Sequence, residues 1–203
     1  MNGTRLKYIL IGFGFQNYTC ESTESDPAAI GALAMLYDAT SLYPGQSAQS
    51  LSIEEFNELT TTTLHSKDIP LKLQQPPLLG ADPSEPFLTP GEDLQLDSLA
   101  EPIPFVGHHF FNSKRVPQFK VSGARGDVDF HADKLDSIPA PSTADVGPDG
   151  TGAVGWLYLG AGEGTVGGSY LYRVVTAGGN SHGCSAGNPA DSTSYTTQYW
   201  IYA

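Results

Sequence analysis

Eight of the fifteen prolines in this sequence fall between residues 70 and 104. Proline has no amide hydrogen to give a ladder, and it pushes the residue before it out of the helical region. No central strand and no long helix can run through that stretch, so a regular fold has to be assembled from the chain on either side. The same region carries most of the charge: residues 51–101 hold ten acids against two lysines, a local −8 out of a net −12 over 203 residues. Residues 66–104 therefore read as a surface excursion, a long ordered loop or a lid. Just upstream, Ser52-Ile53-Glu54-Glu55 has the spacing of a capping box and opens onto Phe56–Leu59, which predicts a short helix near 53–60.

Both flanks look like strands. Leu6–Thr19 is β-branched, aromatic and punctuated by glycine. Strand alternation sets Gln16, Tyr18 and Cys20 on one face and Phe15, Asn17 and Thr19 on the other. Further strand-like runs cover Val106–Phe111, Gln118–Ser122, Val154–Leu159, Ser169–Thr176 and Tyr195–Tyr202, separated by Gly, Pro, Asn and Asp clusters. Pro27–Tyr37 is ambiguous, because Asp26-Pro27 starts a helix well while Ala32–Tyr37 also suits a core strand. The sum is one all-β domain over 1–203, a mainly antiparallel β-sandwich or flattened β-barrel. A short helix and an acidic, proline-rich insertion at 51–104 interrupt it.

Charge excludes some partners. The ten basic residues are scattered singly apart from Lys114–Arg115, so neither nucleic acid nor an anionic membrane finds a patch to bind. Tyr8–Phe15 is too short to span a bilayer and lacks the cleavage site of a signal peptide. With Met1 as the natural start the expectation is a cytoplasmic protein; with a leader upstream, a secreted one. Cys20 and Cys184, 164 positions apart, suggest one disulfide tying the terminal strands. Asn2-Gly3-Thr4 and Asn17-Tyr18-Thr19 are glycosylation sequons.

Two motifs fail on their surroundings. Gly162–Gly167 matches G-x-G-x-x-G, but dinucleotide binding needs a helix N-terminus after the glycines, and the strand-like Ser169–Thr176 follows instead. A glycine-rich turn is the better reading, and no nicotinamide cofactor is assigned. His108-His109, with Asp127, Asp129 and His131 downstream, offers metal-ligand types. Adjacent histidines on a strand face opposite ways, however, and no H-x-H or H-E-x-x-H spacing is present, so no metal site is assigned. Arg173 is the most informative charge: its strand face reads Leu171, Arg173, Val175, and an arginine on an apolar face needs a carboxylate, a carbonyl or a ligand oxygen. Gln16 raises the same question on the first strand.

Gly14–Cys20, Gly31–Ala39, Val106–Phe111, Ile138–Pro141, Gly155–Leu159 and Tyr172–Gly179, followed by Cys184 and Tyr195–Tyr202, form an ordered series of blocks. In that order the chain resembles the domain of unknown function 3455 family in its fungal form. Fungal members are often labelled malate dehydrogenase, a label the failed nucleotide motif argues against. The resemblance implies an all-β, commonly secreted domain with its two cysteines paired, and no agreed activity. The chain departs from it in carrying Val175 where many relatives have Asn.

Two functions are compatible with these residues. The first is a cofactor-independent fungal secondary-metabolism enzyme that cyclises or isomerises a hydrophobic aromatic metabolite by acid–base chemistry. Its catalytic candidates are His108, His109, Asp129, Arg173 and Tyr172, and its ligand-binding candidates Gln16, Tyr18, Tyr158, Trp156 and Tyr199. The expected partner is a small hydrophobic or aromatic molecule, and self-association into a homo-oligomer is compatible with either function. The second is a secreted, disulfide-bonded binding or cell-surface protein without chemistry.

Overall fold

The structure is a computed structural model that describes residues 3–75, 80–185 and 190–203. Eight antiparallel strands follow one another around a closed barrel: β1 Leu6–Thr19, β2 Ala28–Asp38, β3 Phe105–Phe111, β4 Pro117–Val121, β5 Val128–Ile138, β6 Trp156–Ala161, β7 Tyr170–Gly178 and β8 Ala190–Tyr202. Of the two sheet architectures compatible with the sequence, it is the barrel that forms. β8 closes it against β1 from Leu6↔Tyr202 to Thr19↔Ala190, so neither terminal strand leaves an open edge. Ala32–Tyr37 belongs to β2 and is strand, not helix. The glycines at 162–167 form the turn between β6 and β7, where Gly164 and Gly167 take positive φ, and no helix follows them.

Alternation divides the apolar residues into two cores. Tyr8, Leu10, Leu36, Val106, Phe119, Val121, Val128, Phe130, Leu171 and Ile201 fill the barrel interior. Ile9, Ile11, Phe13, Phe15, Met35 and Tyr37 face outwards from β1 and β2 and would be exposed on a bare barrel. The β2–β3 connection covers them: the helix α1, Ile53–Ser66, contributes Phe56, Leu59 and Leu64, and the proline-rich chain beyond it adds Leu71, Leu94, Leu96 and Ile103. Each such side chain buried there contributes about 1.5–3 kcal/mol, which is what holds an acidic insertion against the wall.

Helix α1 begins with the capping box. The Ser52 side chain accepts from the Glu55 amide at 3.2 Å, and the Ser52 amide donates to Glu55 Oε2 at 2.9 Å. It runs six residues past the expected end at 60, through Thr61, Thr62 and Thr63, which are poor helix formers. Burial overrides propensity here: Thr60 and Thr63 lie buried against the sheet, and the Thr196 hydroxyl on β8 donates to the Thr60 carbonyl at 2.6 Å. Among the described residues, no helix is long and apolar enough to cross a membrane.

Candidate active site in the barrel

Inward residues do not fill the barrel to one end. Where β1, β3, β5 and β7 finish, a cavity of about 440 Å³ remains, lined by Gln16, Tyr18, Ala32, His109, Phe111, Phe119, Lys134, Leu157, Leu159, Arg173 and Tyr199 among others. Glycine on β1 lets the Tyr199 ring lie in the barrel: a Cβ on Gly12 would stand 2.4 Å from that ring. None of the described residues of 51–104 lines this space. The excursion serves as outer wall, and the loops nearest the mouth are 20–27, 112–116, 139–155 and 179–185.

Arg173 occupies the middle of the lining. Its Nε and Nη2 donate to the Gly155 carbonyl at 3.1 and 2.7 Å, and its Nη1 lies 3.5 Å from Gln16 Oε1. Gln16 is itself oriented, because its Nε2 donates to the Gly31 carbonyl at 2.8 Å. Across the ladder Arg173 pairs with Tyr199, and the guanidinium acts on the Tyr199 hydroxyl through a hydrogen bond and through its charge. The Tyr195 and Tyr199 hydroxyls are 3.0 Å apart, and Tyr18 donates to the Gly179 carbonyl at 2.7 Å.

His109 completes the set. Its ring stacks on Phe119 with centroids 4.0 Å apart and meets the Tyr199 ring edge-on at 5.6 Å. The Nδ1–H donates to the Gln118 carbonyl at 2.9 Å, which fixes the tautomer and leaves the Nε2 lone pair free. Burial, with a smaller push from the Arg173 charge, lowers its pKa to about 4 against the Gln118 carbonyl, so the ring is neutral near pH 7. Burial also pushes the Tyr18 phenol up to about 12 despite the opposing Arg173 charge, and raises Tyr195 and Tyr199. Near neutrality the inner cavity thus holds neutral phenols, a neutral imidazole and a guanidinium.

The barrel wall divides the sequence-derived candidates. His109, Arg173, Gln16, Tyr18 and Tyr199 come together in the cavity; His108, Asp129, Tyr172, Tyr158 and Trp156 face the other side of their strands. His108 packs outside against Phe87 and Phe105, with Nε2 buried and no hydrogen-bond partner. Asp129 accepts from Gln118 Nε2 at 2.6 Å and sits 3.2 Å from His131 and 3.8 Å from Lys120 on the outer surface. Tyr158 and Tyr172 stack face to face at 4.8 Å on the outer wall, and Trp156 borders a groove beside α1. The period of two explains the division: Arg173 points in, so Tyr172 points out, and Leu157 and Leu159 do the same to Trp156 and Tyr158.

Sequence reasoning missed Lys134 and Tyr195. Tyr195 carries the signal that finds Tyr199, four residues on and on the same strand face. Lys134 continues the inward series Val128, Phe130, Ala132, which goes unnoticed unless β5 is recognised as a strand. Among the described residues no cluster of three or more His, Cys, Asp or Glu gathers as for a metal ion. Asn17 holds Ser192 through its side chain at 2.8 Å, and the Asn2 sequon lies outside the described residues.

Cys20, just past β1, and Cys184, in the β7–β8 connection, are joined in a disulfide at the rim of this mouth. No curated protein and no solved structure matches the chain. The sequence model of the family described as "Protein of unknown function (DUF3455)" matches residues 1–203, and the chain belongs to that family.

Proposed function

We propose that the barrel cavity is the active site of a cofactor-independent enzyme of secondary metabolism that cyclises or isomerises a hydrophobic, aromatic molecule by proton transfer. The observation that carries this reading is the meeting of Arg173, His109 and Tyr199, with Gln16 and Tyr18 beside them, in a mostly apolar cavity. His109 Nε2 is the proton acceptor: its lowered pKa keeps the ring unprotonated at pH 7, and as a weak base it needs a strongly activated C–H or O–H, such as one beside a carbonyl held by Arg173. Arg173 and the Tyr199 hydroxyl stabilise the oxyanion that forms, as donors already held in place before it develops. The proton returns from the imidazolium once the new bond or double-bond position is set, so the step balances without an added reactant. Leu157, Leu159, Phe111 and Phe119 fold the carbon skeleton against this polar end.

The test is turnover of a panel of phenolic, enolic and polyene metabolites followed by mass-resolved chromatography. His109→Gln and Arg173→Gln should each lower kcat about a hundredfold or more, while Tyr172→Phe and Asp129→Asn on the outer wall leave it within about twofold. Equal effects from the two groups of substitutions would refute the assignment. The disulfide favours a second reading, a secreted binding protein using the same cavity. That reading predicts saturable binding in the cavity with every panel molecule recovered unchanged.

A further inference from the structure

The chain as a whole is acidic, at −12, yet its barrel cavity is lined by two cations and no acid. Arg173 lies on β7 and Lys134 on β5, either side of β6, where Leu157 pairs with Arg173 and Leu159 with Lys134. The two charges therefore stand on one wall, with an apolar strand between them. Among the described residues neither forms an ion pair, as is also true of Arg5, Lys7, Lys114 and Arg115, which line no part of the cavity, whereas Lys67, Lys72, Lys120 and Arg125 each have a carboxylate. The contacts Arg173 does make are to neutral oxygens, which satisfy donors without cancelling charge.

The acids nearby are turned elsewhere. Asp191 is buried and engaged by the Ser181 hydroxyl, the His182 amide and His182 Nδ1; its charge reaches Tyr18, but it does not line the cavity or pair with either cation. Asp136, two residues from Lys134, borders an outer groove with Tyr158 and Tyr172. Glu21, Glu24 and Asp26 belong to the β1–β2 loop and line no part of the cavity. A half-buried guanidinium whose partners are all neutral keeps an unbalanced charge, and a bound anion balances it.

We propose that the molecule this cavity takes is an organic oxyanion on an apolar frame, its charged oxygen held by Arg173 and screened at the mouth by Lys134. The inference rests on the cavity being a ligand site and narrows the substrate class: a carboxylate or an ionised phenol or enol, not the neutral molecule. The anionic group is conjugated with the reacting centre, so the charged oxygen that Arg173 holds on binding is the one that takes up further charge as His109 removes a different proton.

Two fluorescent probes with the same skeleton test this, anilinonaphthalene sulfonate and the uncharged phenylnaphthylamine. The wild-type protein should bind the sulfonate about tenfold more tightly or better. Lys134→Gln, at an exposed rim position, should erode that preference several-fold, and Arg173→Gln should abolish it. Arg173→Lys retains part of it and guards against a merely misfolded variant. Naphthoate and naphthol as competitors, read on either side of the ionisation of naphthol, separate a carboxylate handle from a phenolate one. Equal affinity for the two probes, or a preference that survives both glutamine substitutions, overturns the anion proposal while leaving the cavity a ligand site. Failure of both probes to bind removes the cavity reading, and this proposal with it.

Discussion

Phe119 and Gln118, consecutive on β4, hold the His109 ring from two directions, one by stacking and the other through its carbonyl. Burying the ring in this way has a thermodynamic consequence. Unfolded, an imidazole titrates near 6.5; folded, burial lowers His109 to about 4. Between those values the unfolded chain binds the extra proton, so the stability contributed by the neutral ring is complete above about pH 6.5 and is lost as pH falls towards 4. The shift corresponds to roughly 3 kcal/mol. Carboxylates add their own acid sensitivity, so the comparison has to be between proteins: the loss in urea-derived stability from about pH 7 to about pH 4.5 should be smaller in His109→Gln than in the wild type by most of that amount. Identical losses would mean that the ring is solvated. The identity of this histidine was half legible beforehand, since alternation says that one of His108 and His109 faces inward but not which.

At the scale of elements, β7 shows how a strand can turn one residue and strain another. Its pairing with β8 shifts between Val174 and Ala177, a bulge immediately after Arg173. Within it Val175 has a φ of 48°, a left-handed conformation that is unfavourable for a β-branched side chain. Also within it, Thr176 donates to the Val154 carbonyl at 2.7 Å, and beyond it the Gly178 amide donates to the Asp145 carbonyl, anchoring the β5–β6 loop beside the mouth. Asparagine tolerates this backbone, so Val175→Asn should stabilise the protein by about 1 kcal/mol, seen as a higher urea midpoint with an unchanged slope. A fall in the midpoint would show that the valine side chain contributes more than its backbone costs. The strain itself is invisible in Tyr-Leu-Tyr-Arg-Val-Val-Thr, which reads as uninterrupted strand. β5 fails to stand out for the opposite reason: its second half, Asp133–Ile138, is exposed on both sides of the alternation and so loses the apolar–polar pattern that marks a half-buried strand. Helix α1 announced its start through Ser52 and Glu55 and hid its end, because its last turn is made by tertiary burial of threonine.

Over the whole molecule, the barrel and the disulfide close the chain in two different ways. β1 and β8 already pair along their full length, so the Cys20–Cys184 bridge adds no new strand contact; it fastens the β7–β8 connection to the end of β1 at the rim of the cavity. Its effect should lie mainly in the unfolded chain, where a link across 164 residues removes a large share of the loop entropy. The paired substitution Cys20→Ser with Cys184→Ser is expected to cost about 2–5 kcal/mol in urea unfolding, and reduction of the wild type should cost the same. Because the barrel closes without the bridge, the far-ultraviolet spectrum and the relative affinities of the two naphthalene probes should be unchanged in the serine protein at low denaturant. Lost probe preference with a retained barrel would instead show that the bridge shapes the mouth, making the rim and not only the wall of Arg173 and Lys134 a determinant of what enters. An intact preference with the predicted loss of stability would separate the two closures cleanly: hydrogen-bonded strands form the site, and the covalent link keeps the chain from wandering far from it when it opens.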